Sequence, residues 1–503
     1  MDNCYLTDVT TVSAATPTDD KTSSESFLGK FLVLKGAVRE LWLIFGVKIL
    51  AILAYGLVNS TLVLWLSSDL GLSDVKAGFV VATWSTVMTL ATVFVGSLAD
   101  AVGIRAAFLL GLAFCVVSRA VMSFTTAFWL AIPVGLLPLA VGEALQTPVL
   151  VAAVKRFSST KQRSMAFAVY YAMMNVGFAI AGWSFDKVRS VLGEYGHYSL
   201  PLVHASLSTY QVIIFLGCLT TVPVWLIVYF GLRPGVEMTD EGVRFSPEKP
   251  RQSALASCRD AFKDWLRIFS GLWAQPTFYR FLLFLTLAVG VRLILYNMYY
   301  TFPKFAIREL GPGAPVGHIF LLLNTVLIVF LAPLAGALTQ RVSAYKAVII
   351  GSFITASSVF FIAAPQGWFV PLANGWLGDL IAHRWLGVKD AAVNPYYVSI
   401  ALMAVVYSIG EAFWSPRLYE YPAAIAPEGQ EASYMALSML PYFVAKFFAG
   451  GLSGFLLQAF CPAEGPRNPG VLWLIVGVVA LGTPVGLIVL RPWIRVKEAG
   501  RDD

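Results

Sequence analysis

The chain has 503 residues, 58% of them hydrophobic and only 13% charged, with a mean hydropathy of +0.72. That composition excludes an ordinary soluble enzyme. The net charge of +7 calls for no nucleic-acid partner, because basic loops that orient a membrane protein and meet anionic headgroups account for it.

Residues 1–40 are polar and rich in Ser, Thr and Asp, with no apolar centre, and are expected to form a disordered cytoplasmic tail rather than a cleaved signal. Apolar runs of about 20 residues then follow, each long enough to cross the hydrocarbon core. They place spans at 41–66, 76–99, 105–124, 127–153, 162–184 and 209–232, which make a first six-helix bundle over 41–232. Residues 233–276 form a basic linker in which Arg259, Lys263 and Arg267 share one helical stripe and Phe262, Leu266, Phe269 and Trp273 another, the pattern of a helix lying on a membrane face. Spans at 279–303, 315–338, 345–364, 397–421, 432–459 and 470–491 make a second bundle over 279–491, followed by a tail over 492–503. The chain reads as an all-α membrane protein: twelve transmembrane helices in two pseudo-symmetric six-helix bundles. The long connection 366–396 contains an amphipathic piece, GDLIAHRWLG, and reads as a spacer on the outer side.

Lys and Arg concentrate in the connections that share a side with both ends of the chain, so both termini are expected in the cytoplasm, with the plasma membrane as the host. Cys4, Cys115, Cys218, Cys258 and Cys461 fall on different segments, and no disulfide is expected; the four histidines show no ligand spacing and suggest no metal. No GxxxxGK[ST] loop is present, which argues against an ATP-driven pump. No cofactor is called for. Gly450 and Gly454 form a GxxxG pair read as close packing within the chain, and a monomer is expected.

Two phrases repeat. GEALQTP (142–148) on the fourth span returns as GEAFWSP (410–416) on the tenth, and GSLADAVGIR (96–105) after the second is echoed by GALTQRVSAYK (336–346) after the eighth. The second half is therefore a copy of the first, and parallel repeats of this kind enclose a cavity near the midplane. With Gly96, Asp100, Gly103 and Arg105 in its loop motif, the chain resembles the major facilitator superfamily, and that resemblance implies alternating access with the loop in a gating role. Two phrases, GEAFWSPRLYEYPAAIAP (410–427) and YYAMMNVG (170–177, with Tyr171, Asn175 and Gly177), resemble helices 10 and 5 of the proton-dependent oligopeptide transporter family. That likeness implies Glu411 as the residue meeting a substrate amine. The family's ExxER motif on helix 1 is absent, replaced by VKILA (47–51), and Thr147 stands where the family favours Lys.

Charges at bilayer depth are costly, about 2.5–3.5 kcal/mol each on an insertion scale for Arg, Lys or Asp. Lys48, Glu143, Arg292, Glu411 and Lys446 lie well inside the spans. They are the candidate cavity lining, with Lys48 expected to pair with Glu143, and Arg292, Glu411 and Lys446 to form a second cluster with a base in excess. Tyr55, Tyr171, Asn175 and Tyr296 extend the same faces as substrate contacts. Glu143 and Glu411 are the candidate proton carriers, and Pro148 and Pro416 beside them the candidate hinges. Arg119, near the outer end of the third span, is expected to snorkel outward from a peripheral helix. The function these residues point to is a secondary transporter of a small anionic or zwitterionic solute, and the resemblance to the oligopeptide transporters implies a peptide- or amino-acid-like solute and proton coupling. A uniporter or exchanger of an organic anion, or a non-transporting receptor on the same fold, is the alternative.

Overall fold

The computed structural model describes residues 33–201, 205–245, 276–338, 342–425 and 440–494, with positions 259, 263 and 270; within helices the side chains of 93–102, 416 and a few others lie outside the description. Apart from those three positions, the proposed surface helix of the linker lies outside it as well, as do the first 32 residues, Cys4 among them, and Cys258.

The first six long helices are α1 (Arg39–Ser68), α2 (Asp74–Val102), α3 (Ile104–Phe124), α4 (Leu137–Arg156), α5 (Thr160–Leu192) and α6 (Thr209–Leu226). The second six are α7 (Pro276–Tyr300), α8 (Leu323–Leu338), α9 (Ala344–Ser358), α10 (Pro395–Ile425), α11 (Leu440–Phe460) and α12 (Pro469–Val489). Eleven are long and apolar enough to cross a membrane among the described residues, and α11 occupies the remaining eleventh place in chain order. Wider turns precede α4 (Ala131–Leu136) and α8 (Gly317–Leu322). Local sequence sets the ends: Ser208 and Gln211 cap α6 reciprocally, at 3.0 and 3.1 Å. Gly103, at φ +86°, makes the abrupt turn between α2 and α3 that a side chain would resist.

Packing repeats with a shift of six helices. In the first half α1 packs on α5 and α6, α2 on α4, and α3 on α4 and α6; in the second, α7 packs on α11 and α12, α8 on α10, and α9 on α10 and α12. Even the contacts between halves obey the shift, since α2 lies on α11 and α5 on the start of α8. Glycines permit these close crossings. A Cβ on Gly78 would fall 2.5 Å from the Gly450 carbonyl, while Gly454 faces Asp74 and Val75, so the GxxxG pair does pack within the chain. Gly317 meets Gly182 in the corresponding place on the other side.

Between α6 and α7 the chain makes a hairpin, Val236–Thr239 with Gly242–Phe245, held to the end of α4 by Arg156 donating to the Val236 carbonyl at 3.0 Å. The 366–396 connection is a chain of short helical turns, and its amphipathic piece buries Ile381 and Ala382 while Leu380 stays exposed. Arg105 donates to the Tyr229 carbonyl at 2.5 Å and lies over that ring, which ties the loop after α2 to its own half rather than across to the other. Gly96 and Asp100 lie on the last turns of α2, with their side chains outside the description. Helices α4 and α10 continue through Pro148 and Pro416.

Candidate functional site

A cavity of about 410 Å³ lies between the halves. Lys48, Tyr55, Glu143, Tyr171, Asn175, Arg292, Tyr296, Glu411 and Lys446, which the sequence singled out, all line it. They come from α1, α4, α5, α7, α10 and α11, and no two of those helices are sequence neighbours within a half except α4 with α5 and α10 with α11.

On the first-half wall the expected Lys48–Glu143 ion pair is not formed. Glu143 is instead in a salt bridge with Arg119 of α3, which is fully buried and also donates to Thr221 Oγ1 of α6 at 2.6 Å. The snorkelling expectation for Arg119 is thus overturned. The physical reason is directional: its stem packs over Gly217 of α6, 3.6 Å from where a Cβ would stand, and the guanidinium points between α4 and α6 rather than toward lipid. Glu143 Oε2 also accepts from Gln146 at 3.4 Å. Lys48, only 2% exposed, places its ammonium over the Tyr170 ring, 4.4 Å from the centroid.

On the second-half wall Arg292, Glu411 and Lys446 do share one space. Arg292 lies over Trp414 and Tyr442, 5.2 and 5.1 Å from their ring centroids. Glu411 accepts from Asn324 of α8 at 2.9 Å, and the same amide donates to Ser408 at 3.0 Å. Lys446 reaches across to the first half, 3.3 Å from Thr89 Oγ1, and lies 5.9 Å from the centroid of the Tyr296 ring. Asn324, Thr89, Gln146, Tyr170 and Trp414 were not anticipated. A neutral amide, hydroxyl or ring in an apolar helix carries no conspicuous burial penalty, so only its helical offset from a charge, as with Thr89 on the face of α2 also holding Ser85, could have marked it.

One end of the cavity is sealed. On the face opposite the one where α1 begins, Arg189 of α5 bonds Glu194 and Asp186 and donates to the Ala314 carbonyl of the second half at 2.8 Å. Asp186 accepts from the Gly317 and His318 amides and from the His318 ring, and Glu194 accepts from the Gly313 amide and Tyr210. Burial favours the protonated form of Glu194, but the Arg189 and Tyr210 bonds prevail and hold its carboxyl below the ordinary range. A second link joins Asp74 at the start of α2 to Lys304 and Arg308 of the short helix Phe302–Leu310. Further hydrogen bonds join the halves at cavity depth, through Ser85–Tyr300 and Thr89–Lys446.

The fold is that of known transporters. A POT family transporter solved with 5-aminolevulinic acid superposes with a TM-score of 0.67 at 14% identity, over 94% of this chain and 98% of that one. A POT family transporter solved with a thioalcohol-conjugated peptide gives 0.66 at 13%, over 91% and 97%. A structure from work on substrate recognition in proton dependent oligopeptide transporters gives 0.62 at 17%, over 91% and 98%. Among curated proteins, none matches the sequence significantly. The model of the Major Facilitator Superfamily matches residues 44–382, well over half of the sequence, and the chain belongs to that superfamily, whose members are membrane transporters and not enzymes.

Proposed function

We propose that this chain is a secondary transporter that moves a small anionic or zwitterionic solute across its membrane by alternating access. The observation that carries the reading is that ionisable side chains from both halves converge on one cavity, with ion networks joining the halves at the end where α5 finishes. Such a lining is balanced by cargo or protons, and the halves exchange which end is sealed. The structural neighbours solved with an amino acid and a peptide conjugate support an amino-acid- or peptide-like solute, with Glu411 meeting an amine and Arg292 a carboxylate. Glu411, which accepts from the Asn324 amide and is in no ion pair among the described residues, is the better placed proton carrier; Glu143, with Arg119 at its back, is the less free. Pro148 and Pro416 are the hinges, and Gly103 with Arg105 stiffens the turn between α2 and α3. With both termini in the cytoplasm, the sealed end faces outward and the cavity serves the cytoplasm.

A second reading, an exchanger or uniporter of an organic anion, is favoured by VKILA in place of the ExxER acids and by the engagement of Glu143 with Arg119. Flux of labelled solutes into proteoliposomes, with and without a pH gradient, separates the two: a gradient accelerates a proton-coupled carrier and leaves a uniporter unchanged. No counterflow with any solute tested would indicate a receptor on this fold.

A further inference from the structure

The second inference rests on the reading of the cavity as a solute site and concerns what the solute carries. Lys48 on α1 and Lys446 on α11 belong to different halves and line the same cavity. Neither is in an ion pair among the described residues: Lys48 has the face of Tyr170, and Lys446 has Thr89 and the face of Tyr296. The acids nearby are otherwise engaged. Glu143, which would have neutralised Lys48, is bonded to Arg119 behind the wall, and Glu411 accepts from Asn324.

An aromatic face steadies an ammonium without consuming its N–H donors, which stay available to a strong acceptor. Two such lysines, withdrawn from bulk water and with no carboxylate in direct contact, bind an anion far better than the same groups would on a surface. Of the anionic and zwitterionic solutes that reading admits, we infer the anionic kind: the solute carries two acidic groups, one for Lys48 and one for Lys446, so that a short α,ω-dicarboxylate bridges the halves. Arg292, over Tyr442 on the same side as Lys446, adds a planar fork to the second acid group. A bridging anion also has a mechanical consequence: it ties the walls that must approach each other when the cavity closes, and so favours the occluded state differentially.

The test is equilibrium binding to the purified full-length protein in detergent, using glutarate and adipate as diacids, butyrate as a monoacid, dialanine as a zwitterion and inorganic phosphate as a compact anion. Glutarate or adipate is expected to bind about tenfold or more tighter than the other three, and Lys48→Gln and Lys446→Gln each to weaken it about tenfold, the equivalent of one charge-assisted hydrogen bond. Lys48→Arg and Lys446→Arg are expected to keep most of the affinity, which covers the case of a glutamine variant that fails to fold. Phosphate binding as tightly as the diacids would reduce the site to unspecific excess charge and overturn the clamp. So would dialanine binding best, unchanged affinity in monodisperse glutamine variants, or no diacid binding at all. Diacid binding without flux in proteoliposomes sinks the transporter reading and leaves the clamp standing; dialanine flux without a diacid preference does the reverse.

Discussion

The phrase GEALQTP and its copy GEAFWSP put a carboxylate at the same place on α4 and α10, yet the two acids live in different chemistry. Around both, the backbone crossing is the same. Gly142 packs against the Gly111 carbonyl and Cys115 of α3, while Gly410 packs against the Gly351 carbonyl and Thr355 of α9. The spacing from Gly111 to Gly351 and from Cys115 to Thr355 is identical, and carried one turn further it sets Arg119 opposite Val359. Both are fully buried. A cation backs the first acid; a methyl pair occupies the matching position in the second half, where Glu411 turns to Asn324 instead. Duplication thus preserved the helix crossing and left the chemistry of each half-site to one neighbouring side chain.

The largest effect expected from breaking this contrast is at Arg119. Arg119→Leu leaves Glu143 buried without its base, and removing one member of a buried pair typically costs about 3–5 kcal/mol. Thermal unfolding in detergent should show a large drop, and adding Glu143→Leu should recover much of it, because the pair then leaves together. An Arg119→Leu protein as stable as the wild type would mean the guanidinium contributes nothing to the wall.

Next come the crossings themselves. Gly142→Ala and Gly410→Ala each force a methyl to within 3 Å of facing backbone or side-chain atoms, and overpacking of that kind costs about 1–3 kcal/mol. The two substitutions should fall within the same range if the crossings are truly equivalent. A large disparity would show that the pseudo-symmetry ends at the helix axes.

Glu411→Gln should change stability by less, within about 1 kcal/mol, since the new amide oxygen still accepts from Asn324. Its readout is function: proton-driven uptake should be lost while exchange of solute across the membrane persists. Glu143→Gln, which strands Arg119, should instead lower stability first. If both glutamine variants transport at the wild-type rate with a pH gradient, neither acid carries a proton.

How the sequence and the structure part company follows the same line. Lys48, Glu143, Arg292, Glu411 and Lys446 were legible because a charge in an apolar run has few places to go except a shared wet cavity. The twelve helices were legible from run length, and the pairing of halves from a repeated phrase. Partner choice was not. Nothing in the spacing of Lys48 and Glu143 reveals that Arg119 approaches from behind, because which way a side chain leaves α3 depends on how α3 rotates against α4 and α6, and that is set by the Gly111–Gly142 crossing rather than by the charges. Asp186, Arg189 and Glu194 were equally opaque: at the end of α5 they read as ordinary loop charges, and only the fold brings the 311–317 turn of the other half onto them.

That sealed end offers the gentlest test, because near neutral pH nothing should change. Glu194 titrates below the ordinary carboxylate range in the folded protein, since the bonds from Arg189 and Tyr210 outweigh burial. A group with a depressed folded pKa stabilises above its unfolded pKa, about 4.3 for glutamate, and its contribution is lost as pH falls through the lower folded value. The link to the Gly313 amide, at 2.8 Å, should therefore hold through the physiological range and fail only in stronger acid. Hydrogen exchange of the 311–317 segment, corrected for intrinsic rates, should stay protected from pH 8 down to about 5. Glu194→Gln, the neutral mimic, should raise exchange in that segment at every pH while leaving the segment around Lys304 and Asp74 unchanged, because that second link has its own charges. Equal loss at both places would mean the sealed end opens as one cooperative unit, and the two networks would then have to be counted as a single latch.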